Sequence, residues 1–253
     1  MSGFDTGSSI GSSRAAFGGA ISLKRRSGKA LRKMKIRRTK ATPAIPVDAT
    51  LTGCELDGHV AVPNSDRESS WADARAVTEA SVAVDDATLF AGGINSSRGN
   101  FGNVRFYFRF DGSSFAAAIS SVSAATFKVY FDALDNSADA DVNKWKAFKH
   151  NKLDNSSLGG RQYRNDNHAD GFDTSISGDE ATVSAGAYIS FPITGDLLSY
   201  VSTQAQTQKD VAFMLVCKLD YDNTAPTGVN TVTPRFTDYS GTGSDPKLDY
   251  TYT

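Results

Sequence analysis

Cysteine and histidine are almost missing from this chain: two Cys and three His in 253 residues. Cys54 and Cys217 stand in no CxxC or Cys/His spacing, which argues against a zinc site. Cys217 lies in a strongly apolar run and reads as a buried thiol, with a Cys54–Cys217 disulfide as the open alternative. His59, His150 and His168 share no local motif and read as ordinary surface or loop residues. HExxH, P-loop and GxGxxG patterns are absent, and the one GxSxG match, Gly7–Gly11, lies in the Gly/Ser-rich opening of the chain. Glutamate in the body is confined to Glu55, Glu68, Glu79 and Glu180, none in a setting that marks an acid–base pair for glycoside hydrolysis. The expectation is a protein that is not an enzyme, with no catalytic residue, cofactor or metal assigned.

Long apolar runs are lacking too. None approaches the roughly 20 residues a membrane helix needs, and no charged-then-apolar leader opens the chain. Neither a membrane partner nor a secretion signal is expected. Two acidic loops resemble calcium loops only superficially. Asp135, Ser137, Asp139 and Asp141 alternate oxygen donors, but Ala140 takes the place of the required glycine and Lys146 that of the bidentate glutamate. Asp166, Asp170 and Asp173 surround Gly171, but Ser177 fills the final ligand position. Both read as solvated turns.

What is present is glycine (22 residues) with abundant Ser, Thr, Asn and Asp, which suits many short strands joined by turns. The net charge of −1 hides a division. Residues 1–40 carry eleven Lys or Arg against one acid, a net of +10; the remainder carries sixteen bases against twenty-seven acids, a net of −11. A basic arm precedes an acidic body, which points to an arm that binds something anionic.

The arm opens with a Gly/Ser-rich tail, residues 1–20, whose apolar groups (Phe4, Ile10, Phe17) are too sparse to order it alone. The basic cluster follows: Lys24, Arg25, Arg26, Lys29, Arg32, Lys33, Lys35, Arg37, Arg38 and Lys40. Leu23, Ala30, Leu31 and Met34 fit one face of a short helix, but Gly28 weakens it and an extended conformation competes. The cluster is the candidate partner-binding segment. An acidic protein neighbour and nucleic acid are its two candidate partners, against a bland role in solubility. It lacks the aromatic residues that stack bases. Thr42–Pro46 holds two prolines in five residues and reads as a stiff linker. Two domains result: the arm and linker, 1–46, and a β-sandwich body, 47–253.

Residues 103–134 organise that body. Val104, Phe106, Phe108 and Phe110 alternate with Arg105, Tyr107 and Arg109; Phe127, Val129 and Phe131 alternate with Lys128, Tyr130 and Asp132. Each run predicts a strand with one buried and one wet face. Between them Phe115, Ala118, Ile119 and Val122 recur at helical spacing, which predicts a turn or two of helix. Strands are expected in 47–62, 82–91, 143–150, 187–194, 232–237 and 247–252. Residues 63–81 and 92–103 are read as loop and turn, and 195–203 as a short helix. Residues 210–219 (DVAFMLVCKL) predict a central strand covered on both faces. The expected fold is all-β: an antiparallel sandwich of jelly-roll type with one or two short helices. Trp71, Trp145 and Tyr163 are the candidates for a glycan platform, weighed against ordinary core aromatics.

The run Phe110–Phe131 (FDGSSFAAAISSVSAATFKVYF) resembles the signature of DNRLRE-type β-sandwich domains. The tail Pro234–Thr253, with its DPKLDYTY ending, is similar to their terminal strand, and FPITGDLLSYV followed by AFMLVCKLDYDNTAP matches their order and spacing. The likeness covers roughly residues 55–253 and excludes the arm. It implies a fold like that of carbohydrate-binding modules, found in secreted bacterial proteins and in structural proteins of tailed bacteriophages. The secreted relatives usually follow a signal peptide, whereas here a basic arm leads, so the expectation is a virion structural component: a capsid decoration or a head or tail fibre. Its expected partners are other virion proteins and copies of itself. The competing readings are an icosahedral jelly-roll coat protein with a nucleic-acid-contacting arm, and an adhesin binding host-surface glycan.

Overall fold

Alternating apolar and polar residues build most of the strands, and the faces they create meet in one core. A computed structural model describes residues 44–62, 70–77, 81–83, 89–90, 93–95, 100–151, 172–237 and 242–253. One sheet contains β1 (Val47–Thr52), β15 (Lys247–Tyr252) and β8 (Val122–Asp135) in that order. β12 (Ala187–Ile193) also pairs with β8, while β14 (Thr231–Pro234) and β4 (Leu89–Phe90) continue beside its C-terminal half. The second sheet runs β10 (Phe172–Ser177), β9 (Lys144–His150), β13 (Val211–Cys217), β7 (Val104–Phe110), β2 (Leu56–Ala61) and β3 (Ser81–Ala83), with β11 (Ala181–Thr182) also on β9. Every pairing is antiparallel. From β7 onward the chain passes repeatedly between the sheets, giving the body its jelly-roll character.

The inward faces interdigitate through aromatic rings. Phe127 of β8 lies 5.0 Å from Phe108 of β7 and 5.0 Å from Phe213 of β13, and Phe106 stacks on Trp145 at 5.1 Å. In β8, Phe127, Val129 and Phe131 are buried and Lys128, Tyr130 and Asp132 half-buried, as alternation predicts. β13 is buried at every position, and β12 turns Ile189, Phe191 and Ile193 inward.

β7 departs from expectation. All seven of its residues are buried, including Arg105, Tyr107 and Arg109, which alternation assigns to water. Charge pairing and ring packing remove them from solvent. Arg105 meets Asp220, Arg109 lies 3.0 Å from Glu55, and the Tyr107 ring meets His150 edge-on at 4.7 Å. His59 and His150 are likewise buried rather than on the surface.

Local structure differs in five further places. Residues 111–121 form only a 3-10 turn, Gly112–Ser114, before irregular chain, although Phe115, Ile119 and Val122 are buried as the spacing suggests. Ser70 caps a six-residue helix, α1 (Trp71–Ala76), in the expected loop, its hydroxyl accepting from the Asp73 N–H at 3.1 Å. The expected turn region holds a small hairpin of β5 (Gly93–Asn95) and β6 (Asn100–Gly102). Helix α2 (Gly195–Thr207) runs past residue 203 and ends at Gln208 in the left-handed conformation; α3 (Lys218–Tyr221) follows β13 directly.

Gly112 is required by close approach. A Cβ there would lie 2.0 Å from the Lys209 carbonyl carbon, while its N–H donates to Asp210 at 2.9 Å. Gly112→Ala should therefore destabilise the body by about 1–3 kcal/mol, the range of overpacking substitutions, measured by urea unfolding.

Candidate interaction surfaces

The most concentrated electrostatic feature is built around Asp220 in α3. Its carboxylate accepts from Arg105 Nε at 2.6 Å and Nη2 at 2.8 Å, from Arg75 Nε at 3.0 Å and from Asn103 Nδ2 at 2.7 Å. Three segments of chain (Asn103–Arg105 at the start of β7, α1 and α3) converge on one buried carboxyl. Burial pushes its pKa up, but the Arg105 charge and hydrogen bonds, with those of Asn103 and Arg75, outweigh burial and hold it below the ordinary value. Beside it lies a cavity of about 200 Å³ lined by Arg75, Lys146, Phe148, Phe172, Asp220 and Tyr221 among others. Two of its polar groups are engaged: Lys146 sits 4.8 Å from the Tyr221 ring centroid, and the Tyr221 hydroxyl donates to Glu180. The arrangement fixes α1 and α3 to β7.

A second feature is the outer face of the sheet containing β1, β15 and β8. A shallow depression of about 380 Å³ is lined by Asp48, Thr50, Ala124, Thr126, Asp249 and Thr251 together with Ala49, Ala125 and Tyr250. Thr251 donates to Asp48 at 2.6 Å, Thr50 donates to Asp249 at 2.7 Å, and Lys128 pairs with Asp249 at 2.6 Å. Burial raises the Asp249 pKa, and the hydrogen bonds of Lys128 and Thr50 more than reverse this. The Asp249 carboxylate is therefore charged and faces outward.

Both thiols are free and buried, which resolves the open disulfide alternative. Burial, aided by Asp220, pushes the Cys217 thiol up to about 12, and burial with Asp57 raises Cys54, so neither is a thiolate at neutral pH. The first acidic loop is internally satisfied. Asp135 accepts from the Ser137 N–H at 3.0 Å, Asp139 binds Thr227 and Asn230, and Asp141 pairs with Lys144 at 2.8 Å. Asp173 of the second binds Ser175 at 2.6 Å, while Asp166 and Asp170 lie outside the described residues. Among the described residues no group of three or more His, Cys, Asp or Glu is placed to hold a metal, and no helix is long and apolar enough to cross a membrane.

Trp71 is corrected as a glycan platform. It is buried, 6% exposed, with its ring 6.1 Å from that of Phe101, because its helix turns it inward. Trp145 is a core residue whose indole N–H donates to the Val142 carbonyl at 2.8 Å. Tyr163, His168 and the arm residues Lys24, Arg25, Arg26, Lys29, Arg32, Lys33, Lys35, Arg37, Arg38 and Lys40 lie outside the described residues. The Asp220 cluster had no sequence signal: its members are separated by up to 145 residues. No protein-family model matches the chain, and no curated protein matches it.

Proposed function

We propose that the chain is a structural component of a tailed-bacteriophage particle, a capsid decoration or head or tail fibre protein that catalyses no reaction. Residues 1–46 dock the protein onto neighbouring particle subunits, and the β-sandwich is the displayed or lattice-contacting body. The observation that carries this reading is the charge division, +10 over residues 1–40 against −11 over the rest. A cationic segment with few apolar groups gains its order from an acidic surface, with long-range attraction drawing the two together. The likeness of residues 55–253 to DNRLRE-type domains supports the particle setting. The body supports an architectural role, since its most heavily engaged buried carboxylate, Asp220, is spent on internal pairing with Arg105 and Arg75.

Deleting residues 1–40 should leave a folded body with an unchanged thermal midpoint that no longer incorporates into particles. Incorporation at the full-length level would overturn the docking role. Steeply salt-dependent binding of the arm to nucleic acid, with a slope tracking its phosphate contacts, would instead favour the coat-protein reading.

A further inference from the structure

Among the described residues, strand β1 is an open edge: its whole length pairs with β15 in unbroken register, Val47 opposite Tyr252 through Thr52 opposite Lys247, and no other described strand is bonded to it. The Gly53 N–H donates to the Pro246 carbonyl at 2.9 Å. By the alternation of antiparallel ladders, Leu51, Ala49 and Val47 also aim their backbone groups at β15, while Asp48, Thr50 and Thr52 aim theirs outward. Natural edges are blunted by lysine, proline, bulges or brevity. The sequence VDATLT has none of these over six residues. Two of the three large apolar residues exposed among the described residues, Ile45 (81%) and Val47 (46%), stand at its start.

The arm contains a segment that complements this edge in both periodicity and charge. Lys33-Met34-Lys35-Ile36-Arg37 alternates cation and apolar residue with a period of two. In β1, Asp48, Thr50 and Thr52 are exposed, while Leu51 is buried and Ala49 half-buried. We propose that Lys33–Arg37 of a second copy of this chain adds to β1 as a further strand, with Met34 and Ile36 continuing the apolar face and the cations lying over the Asp48–Asp249 depression. This rests on the reading of the arm as a docking segment and names its receptor. The small side chain of Ala124 leaves the floor of the depression low, so a long basic side chain can cross it beside two carboxylates. A second copy is favoured over the same chain because Thr42–Pro46, with two prolines in five residues, is a spacer rather than a hairpin turn. The mode is strand addition, in which backbone bonds supply affinity and alternate side chains supply selection.

The test uses the full-length protein. Sedimentation across a wide dilution series should show concentration-dependent self-association, and hydrogen exchange at high concentration should protect both residues 48–52 and residues 33–37. Thr50→Pro removes an outward N–H while sparing every backbone bond to β15, and should weaken association about tenfold or more. Thr50→Val, which loses only the hydroxyl bond to Asp249, should associate nearly as wild type. Charge reversal of Lys33, Lys35 and Arg37 should abolish association without shifting the thermal midpoint. A monomeric wild-type chain, wild-type association by Thr50→Pro, or protection of β1 without residues 33–37 each overturns the pairing. If the arm is still needed for particle incorporation in that case, the docking role survives. If self-association persists while incorporation ignores the arm, the docking role fails and the strand pairing survives.

Discussion

Asp220→Ala should cost the body about 3–5 kcal/mol, the usual penalty for leaving a buried charge without its partner. Arg105 is 0% exposed, and its Nε and Nη2 both donate to this carboxylate. Arg75 and the Asn103 amide lose their acceptor in the same step. With total stabilities of about 5–15 kcal/mol typical of domains, this places the variant near the edge of folding. Replacing both partners, as Arg105→Met with Asp220→Leu, should recover much of the loss, since a buried pair is often worth little more than well-packed apolar groups of similar volume. A double variant less stable than Asp220→Ala alone would show that the cluster is more than a compensated burial. The pH dependence has a definite sign. The carboxyl pKa is lower in the folded state than in the unfolded chain, so its contribution is fully present above the ordinary aspartate value, about 3.9, and is lost as pH falls through the lower folded value. Several other aspartates, Asp111, Asp139 and Asp249 among them, are lowered as well, so the informative quantity is a difference. The stability gap between wild type and Asp220→Asn, followed by urea unfolding, should be constant from neutral pH down to about pH 5 and narrow below pH 4. A gap that widens on acidification would contradict the assignment.

The same residues show what could be read from the chain and what could not. β8, β12 and β13 were legible because their information is local: alternation at Phe127, Val129 and Phe131, and an uninterrupted apolar run from Val211 to Cys217. β7 was located correctly and its environment misread, because alternation treats an arginine as a vote for water. Whether Arg105 is wet depends on a carboxylate 115 residues further on, and nothing near residue 105 announces it. The stretch after β7 failed differently. Phe115, Ile119 and Val122 are buried at helix-like spacing, but irregular chain crossing a core can bury the same positions. Ala118, with φ of 61°, breaks the helix that spacing alone implied. The depression at Asp48 and Asp249 joins positions 201 residues apart and was equally invisible, whereas the charge division that motivates its partner is evident at once.

Phe127→Ala should be the most damaging substitution in the apolar core, at about 3–5 kcal/mol. Phe127 is opposite Leu248 of β15 on one side and Phe191 of β12 on the other, so it occupies the middle of its sheet. Across the sandwich its ring meets Phe108 at 5.0 Å, Phe110 at 5.8 Å and Phe213 at 5.0 Å, all buried. Truncation removes the ring that fills the space between the sheets, and the surrounding rings are held by strands that pair on both edges, so the cavity cannot collapse. For a body of this size each kcal/mol moves the thermal midpoint by about 2–4 °C, so a drop of roughly 10 °C is expected. Phe127→Leu, which keeps most of the volume, should cost much less, about 1–1.5 kcal/mol. Tyr130, three residues along β8, provides the contrast: it points to the other face, half-exposed, with its ring 5.5 Å from Tyr188 and 5.4 Å from the Arg235 guanidinium. Tyr130→Ala should therefore be far milder than Phe127→Ala. Equal losses at the two positions would mean that β8 does not separate a dry face from a wet one, and the two-sheet core would have to be redrawn.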